Sequence, residues 1–227
     1  KEKYKVAKPF ITFMGKPMIA HVLENLAVQE ARYILIARKE HLSEFESARK
    51  DYLGDYDITP IFIDKLTEGT ACTVLYAYDL INNDDPLLIA NSDQIVDMDI
   101  NNFIADAKAR DLDGSILTFV DKELNPKWSF ARIGEDGLVK EVREKEAISE
   151  YATVGIYYFK QGREFIRSAV RMIINNDRVK NEFYTCPVYN YLIQNGGKVG
   201  IYNIESEQMH GIGTPEDLEA YIQFRGC

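Results

Sequence analysis

Cysteine and histidine are scarce, three of each in 227 residues. Cys72, Cys186 and Cys227 stand far apart and form neither a metal-ligand spacing nor an even disulfide framework. That excludes a fold stapled by disulfides and makes a reducing cytoplasm the expected compartment. His21, His41 and His210 share no ligand spacing, which argues against a zinc site. No apolar run approaches the length of a membrane-spanning helix, and the opening Lys1-Glu2-Lys3-Tyr4-Lys5 carries no signal-peptide apolar region, so no membrane partner is expected. Positive charge is in deficit: 27 Lys and Arg against 36 Asp and Glu leave a net charge of −9, which argues against general nucleic-acid binding. The chain also has no nucleophile elbow, no Walker A loop, no dinucleotide fingerprint, no internal repeat and no low-complexity linker.

What remains is an ordinary globular composition, 46% hydrophobic and 28% charged. An acidic protein of this kind that binds an anion must supply local cations, with a metal ion as the natural supplement. The stretch Pro86-Leu87-Leu88-Ile89-Ala90-Asn91-Ser92-Asp93 is the place to look. Its four apolar residues predict a short central parallel strand buried on both faces. Ligands of open α/β sheets sit outside the carboxyl ends of the strands, where Asp93 falls. A carboxylate there can hold a divalent cation against phosphate oxygens. It can equally cap a turn, and on this stretch alone both readings stand.

The rest of the chain is read in order. Residues 1–7 predict a loop, and Lys8-Pro9 precedes a strand-like segment. Pro17 opens a helix to about Ala27, followed by a buried strand at Tyr33–Ala37. A helix over 41–52 has Leu42, Phe45, Ala48 and Tyr52 on its apolar face. A strand at 58–63, a helix carrying Val74, Leu75 and Ala77, the Asp93 strand, a helix over 100–110 and a strand over 115–120 complete a run of alternating elements. Such alternation predicts parallel β-α-β units with right-handed crossovers. The pattern then changes to a β-hairpin around Gly134-Glu135-Asp136-Gly137, a long strand over 152–159, helices over 164–175 and 183–195, a strand over 199–204, and a final helix begun by Thr214-Pro215-Glu216-Asp217. The fold class is α/β, with a mixed, mainly parallel central sheet, helices on both faces and an added antiparallel hairpin, in one domain over 1–227.

Several stretches admit a chemical and a structural reading. Lys8 would neutralise a polyphosphate, or be a solvated lysine, the commoner case. Glu68-Gly69-Thr70-Ala71 would offer free N–H groups to a phosphate or base, or be a plain helix cap. Glu144-Lys145 reads by default as a solvated ion pair. Gly155 marks the close approach of a ligand or, more often, a β-bulge. Tyr184 and the other aromatics around it are more often core or rim than a stacking platform.

The order of these motifs resembles the sugar-phosphate nucleotidylyltransferases, a family with a GT-A-like, Rossmann-like fold. Lys8-Pro9-Phe10 with Gly15-Lys16-Pro17-Met18-Ile19 resembles its lysine motif and first helix, Glu68-Gly69-Thr70-Ala71 its base loop, and Ala90-Asn91-Ser92-Asp93 its metal-binding strand end. Val142-Arg143-Glu144-Lys145, the strand from Ala152 to Phe159, Glu182-Phe183-Tyr184, and Gly211 to Asp217 resemble its later motifs. The family opens with a strand and a Gly-rich loop ending in Arg, and the sequence begins after that point. Many members carry a second metal-binding Asp beside the Gly-Thr-Pro segment. Here Gly211, Ile212 and Gly213 stand there, so Asp93 is expected to act alone or with Asp97 or Asp99.

The resemblance implies transfer of a nucleoside monophosphate from a nucleoside triphosphate to a small phosphorylated acceptor, with Mg²⁺ as cofactor. Residues 1–120 would form the nucleotide half and 121–227 the acceptor half. It implies that Asp93 holds the metal, that Lys8, Lys145 and Asp93 are catalytic, and that Lys8, Glu68, Gly69, Thr70, Asn91 and Ser92 meet the nucleotide. Glu144, Lys145, Gly155 and Tyr184 would meet the acceptor. Bacterial capsule-biosynthesis members share the Glu-Gly-Thr-Ala and Gly-Thr-Pro-Glu-Asp pieces, which puts CTP ahead of UTP. A homodimer is left open. Two rival readings are a glycosyltransferase, which should show Asp-x-Asp where Asp93-Gln94-Ile95 stands, and a non-catalytic nucleotide-binding domain.

Overall fold

A computed structural model describes residues 6–226, so most of the expected N-terminal loop and Cys227 lie outside the described residues. A 3-10 turn at Lys8–Phe10 is followed by β1 (Thr12–Phe13), β2 (Lys16–Pro17), α1 (Met18–Asn25), β3 (Tyr33–Arg38), α2 (Leu42–Tyr52) and β4 (Ile58–Ile63). Next come α3 (Thr70–Val74), a 3-10 turn, α4 (Tyr78–Ile81), β5 (Leu87–Ala90), β6 (Gln94–Val96), α5 (Ile100–Ala109) and β7 (Gly114–Val120). The chain ends with β8 (Ser129–Ile133), β9 (Val139–Glu144), β10 (Tyr151–Phe159), α6 (Gly162–Ile174), α7 (Val188–Gln194), β11 (Val199–Ile204), β12 (Met209–Gly211) and α8 (Pro215–Phe224). These elements divide between two compact units. The first takes the described residues up to Leu66, Asn91–Asn101 and Glu207 onward; the second takes Thr67–Ala90 and Asn102–Ser206.

In the first unit, Lys8 lies in the 3-10 turn rather than before a continuous strand, because β1 and β2 fold into a short hairpin. Its two turn residues, Met14 and Gly15, have φ of 46° and 83°, the left-handed pair that matches strand twist in a two-residue loop. β3, α2 and β4 form the expected parallel β-α-β unit, paired from Tyr33 with Ile58 to Arg38 with Ile63. Ile19, Ala20 and Leu23 of α1 pack with Phe45 and Ala48 of α2, Leu53 and Ile58. Leu42 and Tyr52, expected on the same apolar face, are 41% and 44% exposed. They are the first and last residues of α2, where the packed face runs out. β6 and β12 pair antiparallel beside α8.

The second unit is built around β10, nine residues rich in β-branched and aromatic side chains. β7 and β5 both run antiparallel to it, and β11 runs parallel to β7. Three strands thus share one direction with β10 against them, and β8 and β9 add the predicted hairpin. This is the mixed α/β sheet the sequence predicts, flanked by helices. The strand before Asp93 is a correction in detail. β5 has an antiparallel partner in β10, and its four residues are half-buried rather than enclosed on both faces.

The helix expected over 183–195 starts instead at Val188. Pro187 fixes the start, since it suits the entry to a helix and the residue before it is pushed out of helical geometry. Phe183, Tyr184 and Thr185 are left to pair elsewhere. Gly196 ends α7 as predicted, with φ of 86°, while its N–H bonds to the Ile193 carbonyl and that of Gly197 to the Leu192 carbonyl.

Candidate active site

The predicted residues fall into two groups, one within each unit. In the first unit, Asp93 follows β5 in the chain and is half-buried. Burial pushes its carboxyl above the usual carboxylate range, while the Lys8 ammonium pulls it back down and the Asp217 carboxylate pushes it up again. Lys8 and Asp93 are therefore near enough to sense each other. Asn91 hydrogen-bonds Gln94 at 3.5 Å, and the N–H of Ile212 donates to the Asp93 carbonyl at 2.9 Å. Gly213 faces the Asp93 carboxylate so closely that a Cβ on it would lie 2.5 Å from Oδ2. Only glycine leaves that carboxylate its room.

Neither carboxylate proposed to assist Asp93 is placed to do so. Asp97 accepts from His210 at 2.8 Å and from Arg225 at 3.2 Å, tying β6 to β12 and to the end of α8. Asp99 accepts from the backbone and side chain of Asn101 at 2.9 and 2.8 Å, capping α5. The carboxylate that acts on Asp93 is Asp217, which spacing along the chain marked only as a helix cap. It does cap: its backbone N–H donates to Thr214 Oγ1 at 3.1 Å, and the Thr214 hydroxyl donates to its Oδ2 at 2.7 Å. Carboxylate oxygens are hard donors suited to magnesium, and a half-buried carboxylate with a second one beside it gains from a cation. The residues present fit that ion. Among the described residues no cluster of three or more His, Cys, Asp or Glu side chains is placed to hold a metal, so the ion's remaining ligands would be phosphate oxygens and water.

In the second unit, the Glu68-Gly69-Thr70 loop is sewn to the segment that fails to be helical. Phe183 N–H donates to the Glu68 carbonyl at 2.7 Å, and Ala71 N–H donates to the Phe183 carbonyl at 3.0 Å. Thr185 N–H and hydroxyl both bond Thr70 Oγ1 at 3.0 Å, and Arg178 pairs with Glu68 at 2.5 Å. Gly69 has φ of 120°, and a Cβ on it would meet the Phe183 carbonyl at 2.3 Å. The glycine serves this close backbone approach, and the Ala71 N–H is not free for a ligand.

Glu144 and Lys145 are not the solvated pair their position at a strand end suggests. The Glu144 side chain is only 8% exposed and accepts a short hydrogen bond from the Ser129 hydroxyl across the hairpin. Burial pushes its carboxyl up, which the Ser129 bond and the Lys145 charge oppose. Lys145 has φ of 58°, an uncommon left-handed conformation for a lysine, and its N–H donates to the Trp128 carbonyl at 3.0 Å. Its ammonium lies 3.9 Å from Glu144, bonds the Tyr184 hydroxyl and stands 4.2 Å from that ring's centre. Tyr184 in turn donates to Glu182. Burial would lower the Lys145 pKa, but Tyr184, Glu144 and Glu182 outweigh it and hold the ammonium charged. Gly155, with φ of 92°, marks a register shift between Thr153 and Tyr157 of β10, which is the β-bulge.

A fold of this kind with charged residues at these motif positions defines a class. The chain belongs to the nucleotidyl transferase family, whose profile matches residues 4–218. It is similar to the mannose-1-phosphate guanylyltransferase catalytic subunit beta of Drosophila pseudoobscura pseudoobscura, 26% identical over 156 residues, 67% of this chain and 42% of that protein. The chain thus spans less than half the length of that curated relative. Among solved structures, it is similar to the nucleoside-diphosphate-sugar pyrophosphorylase from Vibrio cholerae RC9, with a TM-score of 0.81 at 20% identity over 97% of this chain and 93% of that one. The inositol-1-phosphate CTP transferase from T. maritima gives a TM-score of 0.74 at 13% identity, covering 99% and 88%. At these identities the two structures show the fold.

Proposed function

We propose that the chain transfers a nucleoside monophosphate from a nucleoside triphosphate to a small phosphorylated acceptor and releases pyrophosphate. The acceptor's phosphate oxygen attacks the α-phosphorus, and the bond to the β-phosphate's bridging oxygen breaks. A phosphate monoester has a second pKa of about 6, so this nucleophile is already ionised at neutral pH and no general base is needed. The residues' task is to hold repelling anions and to stabilise charge in the transition state. Lys8 takes the triphosphate. Gly69, Thr70, Asn91, Ser92 and Glu68 form the nucleotide's surroundings. Lys145 takes the acceptor's phosphate, with Glu144, Gly155 and Tyr184 about the acceptor's body. Asp93 is the residue that would hold Mg²⁺, and the ion when bound would neutralise charge on phosphate oxygens.

The observation that supports this most is the Asp93 carboxylate, half-buried beside Gly213 and within reach of the Lys8 charge. A carboxylate kept there at an energetic cost, without a side chain opposite, suits a site for a cation and phosphate. CTP and then UTP remain the first nucleotides to try, with the capsule-precursor type of acceptor. GTP joins them because the relative matched over 67% of this chain carries a guanylyltransferase name. A sugar 1-phosphate is the acceptor class to test first. The experiment is a pyrophosphate-release screen of four nucleoside triphosphates against a panel of phosphorylated acceptors. Release that needs one triphosphate and one acceptor together supports the reading. Nucleotide binding with no release under any pairing favours a non-catalytic domain.

A further inference from the structure

We propose that Asp217 supplies the second carboxylate of the metal site from the first turn of α8, in the space that Gly211 leaves open. The inference rests on the reading of Asp93 as a metal ligand and adds a residue to it. A Cβ built on Gly211 would lie 3.7 Å from Asp217 Oδ2 and 3.8 Å from its Cγ. The Asp217 carboxylate therefore occupies the volume next to position 211 that a side chain at 211 would reach into. Two residues on, the Cβ position of Gly213 meets the Asp93 carboxylate. One three-residue stretch, held to Asp93 through the Ile212 N–H, is thus lined by both carboxylates. Both feel each other's charge, and of the described cations Lys8 is the one whose charge opposes them at Asp93. Two carboxylates against one ammonium leave a deficit that a divalent cation fills. The Thr214 hydroxyl fixes the Asp217 rotamer, so the ligand is held in place before the ion arrives. An oxygen that accepts one hydrogen bond keeps a lone pair for a metal.

The test is Mn²⁺ uptake by the full chain, followed by electron paramagnetic resonance with the metal alone. The variants are Asp93→Asn, Asp217→Asn, and Gly211→Asp combined with Asp217→Asn. Asparagine at 217 retains the backbone bond to Thr214 and an oxygen for its hydroxyl, so the helix cap survives; thermal denaturation checks this. Gly211 does not have positive φ, so aspartate is tolerated there. Asp217→Asn should weaken Mn²⁺ binding by about ten-fold or more, the scale of losing a metal-site partner. Gly211→Asp on that background should restore it. If Asp93→Asn loses Mn²⁺ while Asp217→Asn binds it as the parent does, this inference is overturned and the metal site stands. If Asp93→Asn binds as the parent does, or the parent takes up none at millimolar Mn²⁺, the metal reading fails and this inference with it.

Discussion

The Ser129 hydroxyl donates to the Glu144 carboxylate across the β8–β9 hairpin, inside the protein rather than at its surface. Burial raises the Glu144 pKa, so the folded state binds its proton more tightly than the unfolded chain does. Stability contributed by this group is full at pH below the unfolded carboxyl's pKa. It is lost as pH rises toward the raised folded value. Glu144→Gln removes the charge and keeps an acceptor for Ser129. Its melting temperature at neutral pH should equal or exceed the parent's, while KM for the acceptor rises. A melting temperature lower by several degrees would show that the charge itself holds the hairpin.

Tyr184→Phe removes the hydroxyl that links Lys145 to Glu182. A hydrogen bond to a charged group contributes about 1.5–3 kcal/mol, so a loss of roughly ten-fold in kcat/KM for the acceptor is expected. Nucleotide affinity should be unchanged. Steady-state kinetics with each substrate varied in turn separates the two.

Gly69→Ala places a methyl group on the Phe183 carbonyl and forces a left-handed backbone on an L-residue. Destabilisation of about 1–3 kcal/mol is expected, read by urea denaturation. The variant's loss of nucleotide binding should follow its loss of fold, because Gly69 serves a backbone contact.

Cys186 lies fully buried beside Tyr157 and Ser129, and burial pushes its thiol far up. A thiol that stays protonated is a poor nucleophile. It should resist alkylation in the native protein and react at once in denaturant, as read by mass spectrometry. Native labelling would show that this core opens.

The regular elements were legible wherever period alone decides them. The parallel β3-α2-β4 unit, the Gly134–Gly137 hairpin turn and the Thr214 cap of α8 follow from residues a few positions apart. Contacts between distant residues were not legible. Nothing near Glu144 in sequence announces Ser129, so its burial could not be read from its place at a strand end. Pro187 did carry a signal, and weighing its effect on Cys186 would have moved the start of α7. Asp217 looked like a capping residue and nothing more, because its second neighbour, Asp93, is remote in the chain. The bulge at Gly155 was legible from one glycine in a run of β-formers.

The central claim is that the chain releases pyrophosphate from a nucleoside triphosphate through a site that depends on Asp93. The direct measurement is pyrophosphate release, with the responsive triphosphate and acceptor, by the parent and by Asp93→Asn. The account predicts a fall of roughly a hundred-fold or more with the fold intact by circular dichroism. An Asp93→Asn protein that releases pyrophosphate at the parent's rate would contradict it.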